Sequence, residues 1–282
     1  MSDGRLILCS LPIGNKKDIS LNVLEALRDG TEIYAEDTRT IKGVILEHGV
    51  SLEGKTISSF HDQSGDRDIS TIFSKIKSGQ DVYYFSEAGS PVISDPGFPL
   101  VREANNLEIE VVTYPGPCAV ISAIELSGLP SIPFTFGGFL PREPSKIIDI
   151  ISKNSMSVGT FVYFESPRRV GSLLNTLENI LSTDFFPTEV CFVREITKKN
   201  QQTVLLNKNN FFDNKSLITE LGEFVVIFYF GKETVKTLDY KALQDICEEV
   251  IKNGISQKRV SKLISKITQE SPKSIYQKLN TK

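Results

Sequence analysis

The chain has 282 residues, 40% hydrophobic and 24% charged, with a net charge of −3. That is enough chain for two domains and a sizeable core, and its composition excludes a disordered, collagenous or disulfide-stapled protein. A membrane span is excluded as well: the longest apolar run, 224–230, is seven residues against the ~20 needed to cross a bilayer, and the Met1–Arg5 start does not read as a signal peptide.

Residues 6–11 read as a buried strand ending in the turn Pro12-Ile13-Gly14-Asn15. Asp18 is a candidate N-cap for a helix carrying Leu21, Leu24 and Leu27 and ended by Gly30. Strand 32–35, helix 41–47 and strand 56–60 follow. Ile69, Ile72, Phe73 and Ile76 give a helical stripe closed by Gly79, and strands at 81–85 and 109–113 precede a helix over 119–126. This alternation predicts a mostly parallel α/β sheet. A Pro-rich break at Leu129–Pro133 marks a domain boundary, giving domains at 1–132 and 133–233. Beyond it, strands at 134–139 and 160–164 are followed by a helix carrying Val170, Leu173, Leu174, Leu177 and Leu181. Closely spaced strands at 189–196, 203–206 and 224–230 complete the second domain and predict antiparallel pairing, an α+β arrangement. Residues 234–282 read as three short helices. Ser256 caps one bearing Val260, Leu263, Ile264 and Ile267, and Ser271-Pro272 opens another with Ile275 and Leu279, so the two stripes can pack together. From Lys252 onward eight basic residues face Glu270 alone, a charge of +7, which leaves −10 on the rest of a −3 chain. An acidic body with a basic tail points to an anionic partner met at one end.

Cys9, Cys118, Cys191 and Cys247 show no CxxC spacing, and with only two histidines no metal is expected. The thiols read as reduced, buried and inert, as suits the cytoplasm. Gly49–Thr56 fits the phosphate-loop pattern G-x-x-x-x-G-K-[ST], but that chemistry needs a strand before the loop and a helix after it, and here the order is inverted. No G-x-G-x-x-G is present, which removes the main support for a nicotinamide or flavin enzyme.

The informative segments fall where strands of the first domain end, the place where open α/β sheets hold ligands. Ser86–Gly97 and Tyr114–Ala119 are small-residue turns that let backbone approach a ligand. Ala35–Arg39 gathers two carboxylates and a guanidinium, a cluster that alone more often caps a helix than catalyses. Phe164–Arg169 alone is a helix start.

Taken in order, nine motifs carry more: Ser10–Asn15, Ala35–Arg39, Ser86–Gly97, Pro115–Pro117, Ser127–Pro130, Gly138–Arg142, Phe164–Arg169, Arg194–Lys198 and Gly222–Phe224. Over residues 6–230 the chain resembles the bacterial small-subunit rRNA (cytidine-2′-O)-methyltransferases of the tetrapyrrole methylase superfamily, and its tail resembles their small helical C-terminal domain. It departs from that pattern at Leu11, Glu87, Cys118 and Arg168. The resemblance implies a tetrapyrrole methylase-like α/β fold with a donor cleft between two domains. It implies S-adenosylmethionine as methyl donor and a decoding-centre cytidine of 16S rRNA, in the small ribosomal subunit, as acceptor. A homodimer without membrane association is implied as well. Donor contacts are expected from Pro12, Ala88, Gly89, Ser90, Pro91, Ile93, Cys118 and Ala119, with Tyr163 facing them from the second domain. A ribose hydroxyl is a poor nucleophile that needs a base or a neighbouring cation, and Asp37, Arg39, Asp95, Glu165 and Arg168 are the unranked catalytic candidates. Two other readings stand beside this one: a methylase of porphyrin or corrin precursors, against which the basic tail argues, and an RNA-binding ribosome assembly factor without turnover.

Overall fold

The computed structural model describes residues 4–231, 247, 249–268 and 271–280, without the side chains of 266–268 and 278–280. The first sheet is built from β1 (Leu6–Cys9), β2 (Glu32–Ala35), β3 (Thr56–Ser59), β4 (Val82–Phe85) and β5 (Val111–Tyr114), all parallel, in the order β3-β2-β4-β1-β5. Helices α1 (Leu21–Asp29) and α2 (Thr38–Glu47) cover one face. Their Val23, Leu27, Ile41 and Ile45 meet Ile7, Cys9 and Phe85 of the sheet. Helices α3 (Asp66–Lys77) and α4 (Phe98–Asn106) cover the other, where Ile72, Phe73 and Leu100 meet Leu6, Leu8 and Tyr84. Alternate residues of β1 and β4 thus serve opposite cores, which is why these strands read as unbroken apolar runs.

The second sheet has the order β6-β7-β10-β8-β9, from β6 (Phe134–Phe139), β7 (Gly159–Glu165), β8 (Glu189–Arg194), β9 (Gln202–Leu206) and β10 (Phe224–Phe230). The expectation of antiparallel pairing holds for three of its contacts and fails at β6, which runs parallel to β7. The reason is a crossover through α6 (Pro144–Asn154), a helix that the sequence reading passed over along with α4 and the short α8 (Phe211–Lys215). One face of the sheet packs on α6, α7 (Pro167–Asn179) and α8. The other packs on α5 (Ala119–Ser127), whose Val120, Ala123 and Ile124 meet Val162, Cys191, Val225 and Ile227. Helix α5 therefore joins the two sheets.

Local corrections follow from hydrogen bonding. Ser20, not Asp18, caps α1: its hydroxyl accepts from the Val23 amide at 3.3 Å, while Asp18 ends a short 3-10 turn. Helix α2 starts at Thr38, three residues before the expected Ile41, because the Asp37 carboxylate caps it. In the tail, α9 (Gln257–Thr268) and α10 (Pro272–Asn280) pack through Val260, Ile264 and Ile275, with Cys247 beside them. Leu263, expected in that seam, is exposed. Lys258, Arg259, Lys262 and Lys273 are exposed as expected. The side chains of Ile267, Leu279, Lys266 and Lys278, and residues 232–246, lie outside the described part.

Candidate active site

The loops leaving β1 and β4 are tied to each other at the carboxyl end of the first sheet. The Leu11 amide donates to Gly89 O (3.1 Å) and to Ser86 Oγ (3.2 Å), and the Gly89 amide donates back to Leu11 O (2.8 Å). Gly89 sits at φ +74°, where a side chain is strained. Further along the same loop a Cβ on Gly97 would lie 2.2 Å from Pro91 O. The glycines of Ser86–Gly97 are thus required by a folded-back loop.

Across from these turns stands the end of the second sheet. Asn15 donates its amide to Thr197 Oγ1 at 2.9 Å, and a Cβ on Gly14 would fall 2.6 Å from the same atom, so the two domains touch closely here. Between them runs a cleft of two connected compartments. One, about 240 Å³, is lined by Phe224, Val225, Ile196, Glu165 and Glu223. The other, about 220 Å³, is lined by Glu36, Glu87, Ala88–Ser90, Ile93–Asp95 and Cys118. Ile13, Ala88, Ala119, Phe139 and Phe164 belong to both and form the shared wall. The second compartment opens through Glu36 and Glu87 onto a wider, polar mouth bearing Asp37, Arg39, His61 and Asp62.

Among the carboxylates of the cleft, Asp95 and Glu165 differ in environment. Burial first, and then the charges of Glu36 and Glu87, push Asp95 up to about 7. Glu36 is raised for the same kinds of reason. Burial also raises Glu165, but its carboxylate accepts from the Ser166 amide (2.6 Å) and pairs with Arg169 (2.6 Å), which oppose the rise. Beside Asp95, Tyr84 is fully buried, and its hydroxyl is the buried side-chain oxygen left without a partner among the described residues. Burial, with Asp95 next, raises its pKa.

The predicted residues separate on this geometry. Ala88, Gly89, Ser90, Ile93, Cys118 and Ala119 line the Asp95 compartment; Pro12 and Pro91 line neither. Tyr163 is a correction. It points into the opposite core under α6, where its hydroxyl accepts from Asn154 Nδ2 at 2.8 Å. Side chains alternate across a strand, so its neighbour Phe164 faces the cleft instead. Cys118 corrects the expectation of four buried thiols, because it is half-buried in the cleft. Asp37 accepts from the Arg39 amide (2.7 Å) and guanidinium (2.6 Å), which hold it down to about 2 at the mouth. Arg168 is exposed on α7, and Arg169 takes the carboxylate. The reading of the sequence missed Phe139, Phe164, Ile13, Glu36 and Glu87; period-two alternation in β7 was the available signal for Phe164. Among the described residues no group of His, Cys, Asp and Glu is placed to hold a metal ion.

Residues 5–208 match the family described as tetrapyrrole (corrin/porphyrin) methylases. The chain is 37% identical over 232 residues to the ribosomal RNA small subunit methyltransferase I of Thermotoga maritima, which covers 82% of this chain and all of that protein. It is 31% identical over 277 residues to the protein of the same name from Rickettsia prowazekii, covering 97% and 93% of the two chains. Among solved structures, a diphthine synthase is similar with a TM-score of 0.62 at 15% identity, over 80% of this chain and 90% of that one, a likeness of fold alone.

Proposed function

This chain belongs to the tetrapyrrole methylases, among the ribosomal RNA small subunit methyltransferases I, and from that membership we propose that it transfers a methyl group from S-adenosylmethionine to the 2′-hydroxyl of a cytidine ribose in the decoding centre of 16S rRNA. The observation that carries the chemistry is the two-compartment cleft with Asp95 held near 7 on one side of an apolar wall.

The residues present suit the donor. The tied backbone of Ala88–Ser90 and the start of α5 at Cys118–Ala119 offer close approach without bulky side chains. The carboxylates of Glu36, Glu87 and Asp95 favour a cationic ligand over an anionic one. When bound, the donor supplies an electrophilic methyl carbon on a positive sulfur. Asp95 is the proton acceptor: a carboxylate titrating near 7 is partly ionised at neutral pH yet basic enough to take the hydroxyl proton as the new C–O bond forms. Glu165, satisfied by Ser166 and Arg169, orders the start of α7. Ile13 and Phe164 exclude water and fix the reactants side by side, the source of up to ~7–11 kcal/mol of barrier reduction when alignment is good.

The exposed Lys258, Arg259, Lys262 and Lys273 on α9 and α10 are the docking surface for rRNA phosphates, which the acidic body would repel. A homodimer is supported by Ile132 and Phe134, 88% and 42% exposed, at the start of the edge strand β6. A ribosomal substrate puts the protein in the cytoplasm. Incubation of unmethylated small subunits with methyl-labelled donor tests the whole reading. Label confined to one nucleotide whose 3′ linkage becomes resistant to alkali is the expected result; label on a base, or labelling of a tetrapyrrole precursor in preference to subunits, overturns it.

A further inference from the structure

We propose that Phe139 is a stacking platform for the base of the acceptor nucleoside, so that the protein takes its substrate as an unstacked nucleotide turned out of its strand. The proposal rests on the reading of a ribonucleotide acceptor given above. Its own ground is the way the fold exposes and fixes this one ring.

An exposed phenylalanine at the mouth of a cleft costs hydration free energy, and Phe139 is 61% exposed. Other exposed phenylalanines, Phe98, Phe134 and Phe212, line neither compartment, whereas Phe139 lines both. The backbone is distorted to put it there. The register of β6 against β7 shifts between Phe136 and Phe139, a bulge of the kind that re-aims a side chain. Two glycines make the bulge possible. A Cβ on Gly137 would fall 2.2 Å from the Tyr163 ring, and Gly138 sits at φ +70°.

The ring is also held still. Its edge-to-face partner is Phe164, with centroids 5.5 Å apart at 68°, and Phe164 is braced in turn by Phe136 at 4.9 Å. The next residue, Leu140, is anchored twice. Its amide donates to Phe164 O at 3.2 Å, and its carbonyl accepts from Arg169 at 3.0 Å, the same arginine that pairs with Glu165. A rigid aromatic with more than half its surface open is what stacking needs, since little side-chain freedom remains to be lost on binding.

Position selects the occupant. The close-approach turns lie on the first domain, and Phe139 faces them from the second, sharing the Asp95 compartment. A ribose whose 2′-hydroxyl meets Asp95 carries its base on the adjacent carbon, so that base falls toward this wall. Bases inside a helix are stacked on each other and cannot use such a platform, which is why enzymes acting on single nucleotides turn them out.

The test uses the full-length protein. F139A should raise KM for unmethylated small subunits about 10- to 100-fold, the loss typical of removing one base–aromatic stack, with kcat and the affinity for S-adenosylhomocysteine within about twofold of wild type. F139Y should restore most of the KM, and F139L should not. The chain contains no tryptophan, so F139W reports locally: its fluorescence should be unmoved by S-adenosylhomocysteine. Quenching by that compound, or weakened binding of it to F139A, would place the donor's adenine on the ring and overturn the proposal, as would an unchanged KM in F139A. Failure of the wild type to methylate subunits at all would instead overturn the proposed function on which this inference rests.

Discussion

Asp95→Asn separates the two consequences of holding a carboxylate at about 7 instead of its ordinary 3.8. At ~1.36 kcal/mol per pH unit the full rise corresponds to about 4 kcal/mol. The side chain is only partly buried, and solvent screening reduces that to about 1–2 kcal/mol. A raised value means the folded protein binds this proton more tightly than the unfolded chain does. The associated stability is therefore complete below about pH 4, declines as pH rises toward 7 and is lost above it. Asparagine cannot ionise and escapes the penalty. D95N should match wild-type stability at pH 4 and exceed it by about 1–2 kcal/mol at pH 8, read from urea midpoints at fixed slope. The same substitution removes the proton acceptor and should lower kcat by about 10²–10⁴. Wild-type kcat should rise with pH to about 7 and then level. A stability difference equal at pH 4 and pH 8, or an unaltered kcat in D95N, would refute the reasoning.

Gly137→Ala puts a Cβ 2.2 Å from the Tyr163 ring; overpacking of this kind costs about 1–3 kcal/mol, so thermal melting should fall, whereas Gly43→Ala, which meets nothing within 4 Å, should leave it unchanged or higher. Cys118 is half-buried in the cleft while Cys9, Cys191 and Cys247 are buried; maleimide should label Cys118 first, and S-adenosylhomocysteine should protect it, as intact-mass and peptide mapping would show. Truncation after Thr234 removes the +7 segment and should weaken binding to small subunits and flatten its salt dependence, with donor affinity by calorimetry unchanged; equal binding and methylation by the truncated protein would discard the docking role.

Much of the architecture is present in local chain chemistry. The apolar spans at 32–35, 134–139 and 224–230 become strands with those bounds, and the small-residue turns after β1, β4 and β5 gather at one end of the first sheet. Such features depend on periodicity and turn-forming residues, which act over a few positions. The start of α2 was less legible and α4 was missed, because their starts are set by a cap and a proline within a loop. The site divides along the same line. Ala88–Ser90 and Cys118–Ala119 could be chosen from their turns, but Phe164 could be told from Tyr163 only once the two faces of β7 were assigned to different cores. Asp37 and Asp95 look alike as acids at strand ends. One is neutralised by Arg39 two residues away, and the other is raised by burial first and then by Glu36, from the loop after β2, and Glu87, at the start of its own loop. A pKa is set by burial and by charges that the fold brings within a few ångströms. Pairing across the chain, burial and the aim of a bulged side chain are therefore properties of the assembled structure, and they push the two acids' pKa values in opposite directions.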